Sequence, residues 1–150
     1  MTRTRVLAVA SGGGHWVQLL RLRPAFEGAD VAYVTVDDAY RCQVEPARFH
    51  RVPDATQWDR LKLVSLTLQL LWILARERPH LIISTGAAPG YLAIRLGGLL
   101  GARTLWLDSI ANVEELSRSG RMVGGHVDTW LTQWENVAEP GGPDHRGAVL

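Results

Sequence analysis

Among the side chains able to move a proton, His15 has the most informative neighbours. It closes the run Ser11, Gly12, Gly13, Gly14, His15, placed directly after the apolar stretch Arg5 to Ala10. An imidazole titrates near pH ~6.5 when unperturbed, so it can take the proton of a hydroxyl at neutral pH. The glycines let backbone N–H groups approach a ligand, and a helix starting there favours an anion. Asp108 offers a carboxylate at the end of RTLWLD, with Ser109 and Asn112 behind it as hydrogen-bonding groups. The stretch STGAAPGY supplies Thr85, Gly86, Ala87, Ala88, Pro89 and Gly90, small residues that leave room for a bulky group near the backbone.

Each of these has a plainer reading. The glycines can make a tight strand-to-helix turn with no ligand, His15 can cap its own helix, and small residues can serve close loop packing. Asp108 or Ser109 can cap a helix. Two familiar phosphate patterns are absent. Gly12-x-Gly14 is present, but Val17 stands where a dinucleotide fingerprint needs its third glycine, and no Lys-Ser or Lys-Thr follows for a phosphate loop. A stand-alone nucleotide-binding enzyme is disfavoured on that ground.

The elements that must position these groups alternate. RVLAVA (5–10), DVAYVTV (30–36), HLIIST (80–85), RTLWLD (103–108) and DTWLTQW (128–134) read as strands, with RFHRV (48–52) as a short one. Helices are expected over about 15–25, about 58–78, where Pro79 stops the pattern, and from Pro89 to near Gly101. Strand and helix in alternation imply parallel pairing with right-handed crossovers: one domain over 1–150, α/β, a Rossmann-like doubly wound sheet. Ligands in such sheets sit off the carboxyl ends of the strands. The loops SGGGH, STGAAPG and DSIAN all follow strands, so all three are expected at one edge. The closing EPGGPDHRGAVL reads as a loose tail or a terminal strand.

Composition excludes several classes. The chain has 47% hydrophobic and 21% charged residues and a formal charge of +1, with no general pull toward nucleic acid. A single cysteine, Cys42, excludes an intrachain disulfide framework and a cysteine zinc cage. The five histidines have no ligand spacing with carboxylates, so no metal and no cofactor are expected. MTRTR runs straight into a strand without the apolar region of a secretory signal, which points to the cytoplasm.

The helix near 62–76 has surplus apolar surface. Lys62, Ser65, Gln69 and Arg76 form one narrow polar stripe, interrupted by Trp72, and nearly all the rest is aliphatic or aromatic. Its charge-free stretch, Leu63 to Ala75, falls short of the ~20 residues needed to cross a bilayer. Either it is an unusually buried core helix, or the surplus meets a partner or lipid. For the lipid case Leu63, Leu66, Leu70, Trp72 and Ile73 are the candidate contacts, with Arg60, Lys62, Arg76 and Arg78 near anionic headgroups.

SGGGHWVQLLRL, ISTGAAPG, LDSIANVEELSRSGR and TQWE, in this order and spacing, are similar to motifs of one family. The chain resembles the acceptor-side subunits of split GT-B glycosyltransferases, the PssD-like polysaccharide proteins and their relatives in the dolichol-linked oligosaccharide pathway. The resemblance implies the N-terminal half of a GT-B fold, akin to that of MurG-type enzymes. It implies a separate PssE-like donor-binding subunit that holds the UDP-sugar, and a polyprenyl-diphosphate-linked sugar as acceptor. The glycine loop would approach a diphosphate, and His15 and Asp108 would be candidates for activating the acceptor hydroxyl. Family members often carry glutamate where Asp108 stands, a reach longer by one methylene. Gln133, Trp134 and Glu135 would lie toward the partner. The ending GPDHRGAVL resembles the family's own C-terminus, which implies a complete chain. The eukaryotic relatives' N-terminal anchor has no counterpart here, so the expected place is peripheral, at the cytoplasmic face of the cell membrane. The competing expectation is a non-catalytic module that recruits the donor subunit to the membrane.

Overall fold

A computed structural model describes residues 2–149. Among them, seven strands form one parallel sheet: β1 (Arg5–Ala10), β2 (Asp30–Thr35), β3 (Arg48–Arg51), β4 (Leu81–Gly86), β5 (Arg103–Leu107), β6 (Thr129–Thr132) and β7 (Asp144–His145). Their order is β3-β2-β1-β4-β5-β6-β7. The expected doubly wound α/β architecture is the one found. The closing stretch, left open between tail and strand, contributes β7, which pairs with β6 through Leu131 and Thr132.

Alternation along β1 builds both cores. Leu7 and Val9 face a cluster with Leu66, Leu70, Ile73, Ile82, Ile94 and Trp106. Val6, Ala8 and Ala10 face the opposite cluster, with Trp16, Leu19, Tyr33 and Phe49. A strand apolar at every position is the signature of a parallel strand covered on both faces. Helix α1 (Gly14–Arg21) covers the second cluster; α2 (Arg60–Glu77) and α3 (Ala87–Leu99) cover the first. The expected 15–25 helix stops early because Arg23–Pro24 restarts the chain as a 3-10 turn, Arg23–Phe26. A further helix, α4 (Arg118–Val123), lies in a stretch where the sequence pattern predicts no element, and the Ser117 hydroxyl caps it by accepting from Gly120 N–H.

The two faces of α2 differ from the expectation. Asp59 caps its start by accepting from Lys62 N–H at 3.0 Å, and Arg78 ends it in the left-handed region at φ 45° just before Pro79. Leu66, Leu70 and Ile73, expected at lipid, are core residues, and Leu63 packs against that core half-buried. Trp72 does face outward, 58% exposed. With it stand Trp58 just before the helix and Leu61, Val64, Leu68 and Leu71, at helical spacings of three and four. The helix therefore has an inward and an outward apolar face, so both alternatives for its surplus apply, and of the five candidate lipid contacts only Trp72 lies on the outward face. Among the described residues no helix is long and apolar enough to cross a membrane.

These faces predict opposite outcomes. Leu70→Ala should cost about 2–5 kcal/mol of unfolding free energy, the usual range for a truncated core leucine. Leu61→Ser should stay within about 0.5 kcal/mol, as at most surface positions. Urea unfolding of the two variants checks both.

Candidate functional site

The strand order reverses direction between β1 and β4, and there the two crossovers part to leave a crevice. The pairing of Ala10 with Gly86 brings the loop after β1 against the junction of β4 with α3. His15, in the first turn of α1, is held in that crevice. Its Nδ1 lies 3.0 Å from the Thr85 carbonyl, and the Thr85 hydroxyl donates back to the His15 carbonyl at 2.6 Å. A carbonyl can only accept, so Nδ1 carries the proton in this bond and the neutral ring keeps its Nε2 lone pair. That is the form a general base needs.

Gly86 makes this arrangement possible. A Cβ at that position would overlap the imidazole, and its φ of 150° lies where side chains are disfavoured. Ala87 next to it adopts φ 65°, a strained left-handed conformation for a residue with a side chain. Gly90 has a packing reason instead: a Cβ there would overlap the Ser84 hydroxyl. Thr85, Gly86, Pro89 and Gly90 are buried, while Ala87 and Ala88 are half-exposed. Strand β4 runs to Gly86 and α3 starts at Ala87, so the expected STGAAPG loop is instead a direct strand-to-helix junction; its small residues admit a neighbouring histidine and a serine, and only part of it reaches the surface.

The glycine loop is more open. Ser11 and Gly12 are half-exposed, and Gly13 and Gly14 are exposed. Gly13, at φ 66° and ψ −134°, precedes α1 without a side-chain cap. In the first turn the N–H groups of Gly14, His15 and Trp16 have no intrahelical acceptor, the usual condition of a helix start.

Asp108 stands apart from His15. Its carboxylate is 1% exposed and accepts from Trp106 Nε1 at 3.0 Å, Asn112 Nδ2 at 3.0 Å, Ser117 N at 2.8 Å and the Ser117 hydroxyl. With four donors on two oxygens, it fastens the 109–117 loop and the start of α4. The expectation that it would point into the His15 cleft as a base is corrected on that geometry. Gly120 is required beside it, since a Cβ there would overlap an Asp108 oxygen.

Ser109 and Asn112 likewise hold the loop. The Ser109 hydroxyl accepts from Gln18 Nε2 at 3.3 Å and Ala111 N at 3.2 Å. Gln18, 5% exposed, also accepts from Ile110 N at 3.2 Å and from Gln133 Nε2. Gln133, 3% exposed, donates to the Asp108 carbonyl and accepts from Val149 N, both within 3.0 Å. Trp134 is half-buried and donates to the Ile110 carbonyl at 2.7 Å. Gln133 and Trp134 are therefore internal ties of the site rather than surface offered to a partner; of the three partner candidates Glu135 alone is exposed. All three predicted loops converge at one edge, joined by α1.

Sequence reasoning missed Gln18, Ser117 and Tyr40. Gln18 had a signal, a lone amide among the apolar residues of HWVQLL. Ser117 had one too, three residues before Gly120, the spacing of an N-cap bond. Tyr40 lies in an irregular stretch with no periodicity to mark it.

With this geometry in view, likenesses to known proteins are informative. No family model matches the chain. By sequence it is similar to the Homo sapiens protein "UDP-N-acetylglucosamine transferase subunit ALG14", 26% identical over 166 residues, covering 89% of this chain and 77% of that one. The Rattus norvegicus protein of the same name is 27% identical over the same shares. By structure it is similar to Acinetobacter baumannii MurG, with a TM-score of 0.76 at 13% identity, covering 98% of this chain and 46% of that one. UDP-N-acetylglucosamine 2-epimerase from Rickettsia bellii gives 0.68 at 10% identity, over 89% and 40%. The chain spans less than half of either solved structure, and at these identities the likeness is one of fold.

Two variants test the local geometry. Asp108→Asn places an amide N–H₂ against a set of donors and should destabilise by about 1–3 kcal/mol, the cost of leaving buried donors unpaired. Hydrogen exchange should rise first at Ser117 and its neighbours. Gly86→Ala should keep the protein folded yet displace the imidazole, seen as loss of the Nδ1–H···O=C Thr85 bond in the histidine ¹⁵N spectrum.

Proposed function

We propose that this chain is the acceptor-side subunit of a two-component glycosyltransferase. A separate, PssE-like subunit holds the UDP-sugar, and the acceptor is a sugar linked to a polyprenyl diphosphate at the cytoplasmic membrane face. The observation that carries the reading is His15: an imidazole fixed through Nδ1 by Thr85, at the switch point of a sheet whose likeness covers 46% of a longer chain of the same fold. The ALG14 likenesses support the subunit character, because those proteins are named as subunits of a UDP-N-acetylglucosamine transferase.

The chemistry is a direct displacement. An acceptor hydroxyl attacks the anomeric carbon, a new C–O bond forms, and the bond to the UDP oxygen breaks with its electron pair leaving on UDP. The hydroxyl proton passes to His15 Nε2. General-base help of this kind contributes about 10²–10⁴-fold, and positioning supplies much of the rest. The open N–H groups at the start of α1 suit the acceptor's diphosphate. Asp108, Ser109, Asn112 and Gln133 keep the rim rigid, and the partner meets the exposed surface beyond Trp134, at Glu135.

The outward face of α2 is the membrane contact. Trp58, Leu61, Val64, Leu68, Leu71 and Trp72 offer apolar surface, and Arg60, Lys62, Arg76 and Arg78 offer cations to anionic headgroups. Because α2 crosses over between parallel strands β3 and β4, its first turn lies at the carboxyl edge. A domain resting on this face brings His15's edge to the depth of a lipid diphosphate.

Mixed with its donor subunit, the chain should transfer sugar from a UDP-sugar to a polyprenyl-diphosphate-linked acceptor, and neither should do so alone. His15→Ala should lower kcat by about 10²–10⁴-fold. Unchanged turnover in that variant favours recruitment without catalysis, a reading that the commitment of Asp108 to structure also fits. The triple variant Leu61→Ser, Leu68→Ser, Trp72→Ser should lose co-sedimentation with anionic vesicles while its unfolding midpoint holds.

A further inference from the structure

The glycine loop has no side chains of its own, so something outside it must fix its shape. We propose that Tyr40 is the positioning residue for this loop and, through it, for His15; the proposal rests on the reading of His15 as the base. Tyr40 belongs to the 3-10 turn Asp38–Gln43 that follows β2, which brings it to the same sheet edge from the neighbouring crossover. Its hydroxyl oxygen accepts from Gly13 N–H at 3.0 Å. The side chain also stands against Gly12, where an added Cβ would meet the hydroxyl at 3.5 Å.

The ring is held by stacking, and the turn that carries it by two further bonds. It stacks on Trp16 with centroids 5.1 Å apart and planes 23° off parallel. Trp16 is 1% exposed, and its Nε1 donates to Gln43 Oε1 at 3.0 Å, closing the tyrosine's own turn onto α1. Asp37 caps that turn by accepting from Ala39 N at 2.9 Å. His15 therefore sits between two residues that the Tyr40 turn fixes, Gly13 before it and Trp16 after it. Thr85 fixes it from the opposite side of the crevice. One bond to Gly13, a residue whose φ of 66° suits glycine, selects one loop conformation from the many open to three consecutive glycines. The same bond takes the Gly13 N–H, so an acceptor diphosphate is left with the N–H groups that follow.

Tyr40→Phe keeps the stacked ring and deletes only the hydroxyl, so it separates loop positioning from core packing. In the full chain with its donor subunit, this variant should lower kcat by about ten- to a hundredfold, the scale of a slightly misplaced catalytic group. KM for the acceptor should move less than about twofold, because the first-turn N–H groups that hold the diphosphate are intact. Exchange of the Gly13 amide should accelerate at least about tenfold as its acceptor disappears. In a His15→Ala background the same substitution should change kcat less than about twofold, since residues acting as a unit are not additive.

Several results overturn the proposal. A fall in kcat of equal size in both backgrounds means that Tyr40 acts without His15. A change confined to KM makes it a ligand contact instead, and an unprotected Gly13 amide in the wild type removes the bond on which it depends. If His15→Ala slows turnover but Tyr40→Phe does not, the Tyr40 proposal fails and the base survives. If His15→Ala is itself neutral, both fail together.

Discussion

The site depends on a missing carbon. Gly86 has no Cβ, and the space that carbon would fill is taken by the His15 imidazole. Only because the ring can enter there does its Nδ1 meet the Thr85 carbonyl, which sets the tautomer and keeps the lone pair of the neutral ring on Nε2. The contact is possible because β1 and β4 are parallel neighbours at the switch point, with Ala10 opposite Gly86. Strand order, a glycine and a tautomer are thus one chain of cause. The strain stored at Ala87 belongs to the same turn, where close approach of two loops forces the backbone into a region that side chains avoid.

Polar groups at the carboxyl edge divide into two populations. Ser109, Gln18 and Gln133 are buried and hydrogen-bonded to one another or to the 108–111 backbone, and the buried Asp108 carboxylate is held by Trp106, Asn112 and Ser117. A buried network with its bonds made is rigid, and each bond is strengthened by the low dielectric around it. The start of α1 is the contrary case, with exposed glycines and helix N–H groups that lack acceptors within the helix. The first population gives the edge a fixed shape. The second leaves donors open at the same edge.

The same division explains what could be read from the sequence. Strands and their parallel order were legible because apolar runs and helical patterns alternate, and the convergence of three loops followed from that order alone. The roles within the loops were less legible, because type and spacing do not say on which face of the sheet a side chain falls. Asp108, just past the end of β5, keeps the parity of Trp106, two residues earlier, and so turns to the α3 and α4 side, away from α1. Gly90 reads like a ligand-admitting glycine, but the serine six residues before it fills the space. Along α2, apolar residues nearly surround the axis, so periodicity could not choose the inward face; packing against β1 and β4 chose Leu66, Leu70 and Ile73. Tyr40 left no trace in the pattern, since its part depends on a turn that only the folded chain brings beside α1.

An outward apolar face on α2 is costly for a protein meant to stay in water, and its position limits what it can be for. Exposed patches of this kind mark interaction surfaces, and this one runs from Trp58, before the first turn, to Trp72, with the Arg76 guanidinium 5.4 Å from the Trp72 ring. The crossover from β3 to β4 fixes the start of the helix at the edge that carries His15, so the two surfaces cannot be oriented independently. The proposed acceptor, with its diphosphate at the surface of a bilayer, would need the His15 edge and an apolar face to share one end, and the β3-to-β4 crossover places the start of α2 at that end through topology alone.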